Sequence, residues 1–314
     1  MKMSLAEIAQ AIQAHNQVDQ WGDIEVRSVA FDSRNLEAGG LFVPLKGEQD
    51  GHQYVAKAFE NGAKATLWAK DHPYDPADGY PRLVVDDPLE ALQQLGKYYL
   101  NKINPVVVAV TGSNGKTTTK DMVASILATQ MNVIKTYANF NNEIGVPVTL
   151  LNMEANTEAV VVEMGMDRFG QLDLLSRLTT PDIAVVTNIE STHLDHHISL
   201  DEYVDAKRNV LIYQSPSQRT VLNADCDYSI GHRVYHDMRY DVRGKLAEFS
   251  LEKPVNTGAY LDDNDNIIYA EDGKVTQIMP ASDIRLPGRH NIANYCTAIA
   301  AVWGLVQPEQ IREV

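Results

Sequence analysis

Cysteine, long apolar runs and positive charge are all scarce in this sequence. Its 314 residues include two cysteines, Cys226 and Cys296, too few for a disulfide framework or a cysteine-based zinc site, so we expect both to pack in the interior. No apolar run approaches the roughly 18 residues that a membrane-spanning helix needs. The segment 1–13 has the spacing of an amphipathic helix and lacks the apolar centre of a secretion signal. We therefore expect a cytoplasmic protein.

The charge balance narrows the range of partners. The formal net charge is −15, and such a field repels nucleic acid and anionic membrane surfaces. We expect neither as a partner, and we expect a monomer. An anionic substrate would need a local cluster of cations, metal ions and helix N-termini to hold it.

The chain has two regions with different sequence patterns. Its length also suggests two domains, at roughly 150 residues per domain. Residues 1–104 mix short strand and helix signals, which predicts a small α/β domain. From residue 105 on, apolar runs such as Val106–Val110 alternate with helical segments. This alternation predicts a mostly parallel sheet flanked by helices. Residues 240–285 carry turn clusters between short strands, so we expect a small β-rich excursion there.

A glycine-containing turn follows the first apolar strand of the second region. The turn and the start of the next helix read Gly112, Ser113, Asn114, Gly115, Lys116, Thr117, Thr118. Backbone N–H groups of such a turn converge on phosphate oxygens, and the helix N-terminus adds positive potential. Lys116 would reach the β- and γ-phosphates, and the Thr117 hydroxyl would bind Mg²⁺. The usual P-loop pattern has glycine in place of Val110, so a glycine turn with an exposed lysine is the alternative.

Polar residues follow two further apolar strands. Glu163 ends the run that begins at Ala159, and His193 follows the run 183–186. The carboxyl ends of parallel strands form the ligand edge of a sheet, so we predict that Glu163 holds Mg²⁺ there. His193 is predicted at the same magnesium–phosphate site. A structural cap and a zinc ligand are the alternatives, although the spacing of the histidines between 193 and 197 fits no zinc pattern.

Several segments occur in the order found in the Mur ligase family, which the whole chain resembles. They are Gly112–Thr119, Asn139–Pro147, Val162–Met166, Thr187–Ile189 with His193, Lys207, and Gly288–Asn294. The first region is similar to the uridine-nucleotide domain of two ligases in this family. The segments that carry this second likeness are Phe31–Arg34, Gly40–Gly47 and Asp50–His52.

The resemblance implies a reaction of bacterial cell-wall synthesis. A carboxylate of a UDP-MurNAc-peptide attacks the γ-phosphate of ATP, and an amine then displaces phosphate from the acyl phosphate to form an amide. Two Mg²⁺ ions would offset the repulsion between the anionic reactants. Thr117 and Glu163 match the ligands of the first ion. His193 and Lys207 match the second site, where the lysine of the family carries a CO₂-derived carbamate.

The resemblance also implies positions for the nucleotide and the substrate. Asn291 and Asn294 match positions beside the adenine, although Asn291 is equally suited to cap the helix that it opens. The positions of the UDP-sugar site are matched by Ser33, Arg34 and Lys46. Those near the reacting carboxylate are matched by Asn141 and Asn142, for which a turn role is the alternative.

On this resemblance, residues 1–104 form a UDP-sugar-binding domain and residues 105–314 form the central ATPase domain. The family's C-terminal, amine-binding domain is expected to be missing. Residues 1–186 are most similar to the branch that adds D-Ala-D-Ala to the tripeptide, and residues 187–314 to the branch that adds D-glutamate to UDP-MurNAc-L-Ala.

We therefore expect a D-Ala-D-Ala ligase. The alternatives are a hybrid of the two branches, a truncated core that binds Mg-ATP and UDP-sugar without turnover, and a D-glutamate ligase. A folate- or cyanophycin-type ligase is a further alternative, which the Asp32–Arg34 segment disfavours.

Overall fold

The computed structural model describes residues 1–18, 20–73, 79–189, 200–226, 238–239 and 241–313, with the side chains of 200–204 outside that description. The chain divides into two compact units. Unit 1 comprises Met1–Asn104 and Glu143–Asn156, and unit 2 comprises Pro105–Asn142 and Thr157–Val314. The first division coincides with the predicted boundary after residue 104. Residues 143–156, however, pack with unit 1 and not with the predicted second domain.

Strands and helices alternate along most of the described chain. The strands are β1 Met3–Ser4, β2 Glu25–Val26, β3 Ser28–Ala30, β4 Gly40–Phe42, β5 Ala65–Ala69, β6 Arg82–Val85, β7 Val106–Thr111, β8 Val133–Lys135, β9 Ala159–Glu163, β10 Ile183–Val186, β11 Arg219–Asn223, β12 Lys245–Ser250, β13 Gly258–Leu261, β14 Asn266–Glu271 and β15 Lys274–Pro280. The α-helices are α1 Leu5–Ala11, α2 Val55–Glu60, α3 Pro88–Ile103, α4 Lys116–Leu127, α5 Gly145–Leu151, α6 Gln171–Thr179, α7 Leu200–Ile212, α8 Arg289–Val302 and α9 Pro308–Ile311.

Unit 1 contains a four-stranded parallel sheet in the order β3-β4-β5-β6. Every residue of β5 is buried, as expected for an apolar strand covered on both faces. Because the strands are parallel, the segments that follow β3, β4 and β5 all emerge at the same edge. The predicted binding residues Arg34 and Lys46 lie in the first two of these segments.

Helix α5 packs on helix α3, and this explains why residues 143–156 belong to unit 1. The Tyr99 hydroxyl donates a hydrogen bond to the Met153 carbonyl at 3.1 Å, and the Gln93 amide donates to the Glu143 carbonyl at 3.2 Å. All residues of α5 are buried. A helix that is apolar on every side needs partners on every side, and α3 supplies one of them.

Unit 2 contains a nine-stranded sheet in the order β15-β14-β13-β12-β11-β10-β7-β9-β8. Across the sheet, all neighbouring strands between the edge strand β8 and β13 are parallel. Strands β14 and β15 add antiparallel pairs at the opposite edge. The predicted α/β class with a mostly parallel sheet is confirmed. The strands expected between residues 240 and 285 are present, but they extend the main sheet because β12 pairs in parallel with β11.

One core of unit 2 lies between the sheet and the helices α4 and α8. Val110 of β7, Ile126 of α4 and Ile299 of α8 are fully buried in it. Cys296 is buried there as predicted, whereas Cys226, for which the same was predicted, is only partly buried. The face of α4 that carries Val123 and Ile126 packs on the sheet, so the helix is fixed directly behind the glycine turn that precedes it. Among the described residues, no helix combines the length and the apolarity needed to cross a bilayer.

Candidate functional site

The glycine turn 112–115 joins β7 to α4 and packs closely against the end of β10. Gly112 has a φ of 144°, and a Cβ atom added there would lie 1.9 Å from the Thr187 hydroxyl oxygen. A side chain at this position is therefore excluded by both backbone conformation and space. This close approach places the turn at the carboxyl edge of three neighbouring parallel strands, which is the ligand edge of such sheets.

Residues after β10 hold the turn in shape. The Ser113 N–H donates to the Asn188 carbonyl at 3.0 Å, and the Asn114 N–H donates to Asn188 Oδ1 at 2.8 Å. The Thr187 hydroxyl donates to the Asn114 carbonyl at 2.6 Å. The N–H groups of Ser113 and Asn114 are thus bonded within the protein. The N–H groups of the first helical turn, which have no intrahelical acceptor, are better placed to receive an anion.

Lys116 folds back over the turn. Its Nζ donates to the Gly112 carbonyl at 2.8 Å and to the Ser113 carbonyl at 3.0 Å. Burial lowers the pKa of Lys116, while the charge of Glu163 acts in the opposite direction. A half-buried lysine bonded to carbonyl oxygens of the turn provides a cation next to the helix N-terminus, so the alternative of a merely exposed lysine does not describe this side chain.

Thr117, Glu163 and Asn141 meet at the end of β9. The Thr117 hydroxyl donates to Glu163 Oε2 at 2.8 Å, and Asn141 Nδ2 donates to Glu163 Oε1 at 2.9 Å. Glu163 is 3% exposed, and its N–H donates to the Thr136 hydroxyl at 3.0 Å. The sequence predicted Thr117 and Glu163 at one site, and these side chains are in direct contact. Hydroxyl and carboxylate oxygens form the donor set that Mg²⁺ prefers.

Lys120 also reaches this cluster, although no role was predicted for it from the sequence. Its side chain is 3% exposed, and its Nζ lies 4.0 Å from Glu163 Oε2 and 3.3 Å from Asp121 Oδ1. It donates to the Thr136 carbonyl at 3.1 Å. The spacing of four residues between Lys116 and Lys120 places both lysines on one face of the helix, and this spacing is the sequence signal for Lys120.

Lys207 lies on α7 with 2% exposure. Burial, with a smaller contribution from the charge of Lys116, lowers its pKa to about 7. The charge of Lys116, next to the glycine turn, thus acts on Lys207. The predicted partner His193 lies outside the described residues, as do the neighbouring histidines for which zinc was an alternative.

Asn291 and Asn294 lie at the start of α8, next to the turn. Asn294 Oδ1 accepts a hydrogen bond from the Thr119 hydroxyl at 3.3 Å, and its amide donates to Asn291 Oδ1 at 3.3 Å. Asn291 Nδ2 donates to the Pro287 carbonyl at 2.7 Å. Helix α8 begins at Arg289, so Asn291 is its third residue. The alternative of an N-cap role for Asn291 is wrong, because Gly288 is the N-cap residue and Asn291 lies within the first helical turn.

A cavity of about 540 Å³ runs along α4 from Thr118. Met122 and Ser125 of α4, Tyr295 of α8 and Leu286 contribute to its wall. Neither Asn291 nor Asn294 is among the lining residues. The adenine-side role of the two asparagines stays a prediction.

In unit 1, the predicted substrate residues follow β3 and β4 at the sheet edge. Ser33 is buried, and Arg34 and Lys46 are exposed. The Arg34 guanidinium binds Asp32 with two contacts, Nε–Oδ1 at 3.0 Å and Nη2–Oδ2 at 2.7 Å, and this lowers the pKa of Asp32. The arginine is thus oriented at the edge by a neighbouring carboxylate.

Two family models match the chain. The model described as "Mur ligase middle domain" matches residues 110–302, and the model "Mur ligase family, catalytic domain" matches residues 25–99. The chain belongs to the Mur ligase family. The glycine turn, Glu163, Lys207 and both asparagines of α8 lie within the middle-domain match.

Similar proteins include curated Mur ligases that add D-alanyl-D-alanine. The UDP-N-acetylmuramoyl-tripeptide–D-alanyl-D-alanine ligase of Bacillus subtilis is 46% identical over 212 residues, which are 67% of this chain and 46% of that protein. The same ligase of Haemophilus influenzae is 32% identical over 310 residues, or 96% of this chain and 64% of that protein. The chain thus spans about half to two thirds of the length of these relatives.

A solved Mur ligase has the same fold. The structure of UDP-N-acetylmuramoylalanyl-D-glutamyl-2,6-diaminopimelate–D-alanyl-D-alanyl ligase from Acinetobacter baumannii is 26% identical, with a TM-score of 0.83, and the match covers 100% of this chain and 68% of that one. A UDP-N-acetylmuramoylalanine–D-glutamate ligase from Ruminiclostridium cellulolyticum is 35% identical over 209 residues, 66% of this chain and 42% of that protein. Ligases of both predicted branches are therefore similar to this Mur ligase chain, and the Haemophilus influenzae ligase aligns to both of its predicted halves.

Proposed function

We propose that this chain is the nucleotide- and UDP-sugar-binding part of an ATP-dependent ligase that joins D-Ala-D-Ala to UDP-MurNAc-tripeptide through an acyl phosphate. The contact between Thr117 and Glu163 beside the glycine turn carries the proposal, because it brings a helix N-terminus, a lysine and a buried carboxylate to one point. The relatives that add D-alanyl-D-alanine support the choice of substrate. A cytoplasmic location and a monomeric state stay predictions.

The residues around the turn fit Mg-ATP. Lys116 is positioned to neutralise charge on the β- and γ-phosphates once its bonds to the turn carbonyls are exchanged for phosphate oxygens. Thr117 and Glu163 would hold Mg²⁺, which offsets the repulsion between the triphosphate and an incoming carboxylate. Asn141 fixes the second carboxylate oxygen of Glu163, so we assign it an orienting role in addition to its predicted place near the substrate, for which Asn142 is the second candidate.

Lys207 has the protonation behaviour that carbamate formation requires. With a pKa of about 7, a large fraction of the amine is neutral at pH 7, and the neutral amine is the nucleophile. Its nitrogen would bond to the carbon of CO₂ and release one proton to solvent. The resulting carbamate oxygens would serve the second Mg²⁺ together with His193. Both assignments, and the number of ions, are part of the proposal.

Unit 1 would bind the UDP-sugar. Arg34 and Lys46 place two cations at the carboxyl edge of its parallel sheet, beside the buried Ser33, and the diphosphate is the group that such cations recognise. One alternative is a hybrid of the two branches, and another is a D-glutamate ligase, which the similarity to the Ruminiclostridium cellulolyticum ligase keeps open. A third alternative is a core that binds both ligands without turnover.

Calorimetric titration separates these functions. UDP-MurNAc-tripeptide and UDP-MurNAc-L-Ala are each titrated into the chain, and a non-hydrolysable Mg-ATP analogue is titrated separately. We expect the analogue and the tripeptide to bind. Preference for UDP-MurNAc-L-Ala would support the D-glutamate branch. Phosphate release with ATP, Mg²⁺, UDP-MurNAc-tripeptide and D-Ala-D-Ala, measured after the family's C-terminal domain is joined to the chain, then distinguishes a ligase from a binding core. Failure to bind either nucleotide refutes the proposal.

A further inference from the structure

A buried histidine lies at the edge of the unit 1 sheet near Lys46. His52 belongs to the 3-10 turn Gly51–Tyr54, and its side chain has 0% exposure. Its ring stacks on His72 with a centroid distance of 4.2 Å and meets the edge of Trp68 at 4.7 Å. A titratable ring so completely removed from water must have its nitrogens satisfied within the protein.

The hydrogen bonds of His52 define its tautomer. The Ala69 N–H, at the end of β5, donates to Nε2 at 3.2 Å, so Nε2 presents a lone pair. The proton therefore lies on Nδ1, which is 2.6 Å from Asp50 Oδ1. Burial lowers the pKa of His52, although the Asp50 carboxylate acts to raise it. The ring is a neutral bridge between the end of β5 and Asp50.

This hydrogen bonding argues against a metal site. Candidate ligand atoms of Asp50, His52 and His72 lie within 4.8 Å of one another, a spacing that would suit an ion. To bind a metal through Nδ1, the His52 proton would have to move to Nε2. There it would face the Ala69 N–H at 3.2 Å, and two donors would oppose each other in a buried environment. The cluster is therefore a hydrogen-bonded relay.

Asp50 connects the relay to the segment 46–50, which we call the Lys46 loop. Lys46 and Asp50 form an isolated antiparallel bridge. Gly51 N–H donates to the Leu45 carbonyl at 2.9 Å, and a Cβ atom at Gly51 would lie 2.7 Å from Leu45 N and O. Asp50 Oδ1 also accepts the His52 N–H at 3.0 Å. Asp50 thus closes the Lys46 loop through its backbone, and its carboxylate is held at Oδ1 by the backbone and the ring of His52, with Oδ2 3.4 Å from His72 Nε2.

We propose that His52 is a positioning residue for the UDP-sugar site: its neutral ring ties Asp50 to the end of β5 and so fixes the Lys46 loop that receives the diphosphate. The inference rests on the proposed role of unit 1 as the UDP-sugar-binding part. His52 has no access to a ligand and acts only through Asp50. Loss of its Nδ1 donor should loosen the loop and leave the ATP site of unit 2 unchanged.

Two amide variants separate the relay from simple packing. In His52→Asn the side-chain amide replaces the Nδ1 donor to Asp50. In His52→Gln the amide oxygen of the longer side chain takes the place of Nε2 as the acceptor of the Ala69 N–H, and no group donates to Asp50 in place of Nδ1. We expect His52→Gln to weaken UDP binding about tenfold, the size of one hydrogen bond to a charged group. His52→Asn should stay within about threefold of wild type, and both should bind the ATP analogue normally. His15→Gln is the matched control, because this exposed histidine of unit 1 pairs with Asp86 and not with Asp50.

Hydrogen exchange gives a readout that does not need a ligand. The Gly47 N–H donates to the Gln49 carbonyl inside the Lys46 loop, and the Gly51 N–H donates to the Leu45 carbonyl at its base. Exchange of both amide protons should accelerate in His52→Gln but not in His52→Asn. Asp50→Ala removes the acceptor of the same hydrogen bond and should reproduce the His52→Gln result. It replaces His52→Gln in the experiment if that variant does not fold. Equal effects of the two amide variants, or none, would overturn the inference. If wild-type protein does not bind UDP, the proposed function of unit 1 fails, whereas the exchange rates still decide the role of His52.

Discussion

Replacement of Lys207 by methionine is expected to stabilise the protein near neutral pH. Lys207 is 2% exposed, and burial, with a smaller contribution from Lys116, lowers the pKa of its amine to about 7 from 10.5. In the unfolded chain the amine is solvated and keeps the ordinary value. Methionine has a similar length and no charge, so the variant removes the unfavourable burial of an amine and keeps most of the packing.

The pH dependence follows from proton binding. Between pH 7 and pH 10.5 the unfolded state binds more protons at Lys207 than the folded state, so wild-type stability rises with pH at up to roughly 1.4 kcal/mol per pH unit. Burial of the Lys207 amine therefore destabilises the wild type by about 5 kcal/mol below pH 7. This destabilisation vanishes above pH 10.5. The gain from Lys207→Met should therefore be several kcal/mol at neutral pH and should shrink steadily in alkaline buffer.

Urea unfolding in CO₂-free buffer at several pH values measures this gain. Trp303 fluorescence reports unit 2 when Trp21 and Trp68 are replaced by phenylalanine. The exposed Lys245 offers a matched control, since Lys245→Met should change the free energy of unfolding by less than about 0.5 kcal/mol at every pH. Added bicarbonate should stabilise the wild type but not Lys207→Met, because a carbamate can form only on the lysine.

One result would refute the reasoning. If Lys207→Met is less stable than wild type by the same amount at every pH, the Lys207 amine carries its charge in the folded protein without penalty. Its pKa would then be close to the ordinary value, and the basis for carbamate formation would be lost.

Four further changes test the two ligand sites. Lys116→Ala should weaken binding of the Mg-ATP analogue roughly 100-fold without unfolding the chain, because it removes a charged contact to phosphate; unchanged calorimetric affinity would contradict the phosphate assignment. Glu163→Gln should raise the Mg²⁺ concentration needed for that binding about tenfold, and an unaltered requirement would exclude Glu163 as a ligand. Arg34→Ala should weaken UDP binding and spare the ATP analogue, whereas the exposed control Arg27→Ala should affect neither. Lys120→Met should lower the free energy of unfolding by about 3 kcal/mol in urea titrations, since it removes the cation beside buried Glu163; a neutral effect would mean that Glu163 does not need it.

The sequence alone determined the features that depend on neighbouring residues. The run Val106–Val110, the glycine turn and the helix from Lys116 are contiguous, so strand, turn and helix start could be read directly. The place of Glu163 at the end of an apolar strand also predicted its contact with the turn, because parallel strands end at a common edge. The order of the family segments gave the family itself.

Only the tertiary structure decided which polar groups are buried and what they contact. A lysine on a helix is usually solvated, and Lys120 is buried because α4 packs against the end of β9. The pairing of Asn141 with Glu163 and the packing of residues 143–156 on α3 join segments far apart in the chain. The tautomer of His52 depends on the Ala69 N–H, and the low pKa of Lys207 depends on its burial. These properties arise from long-range packing, which local patterns do not encode.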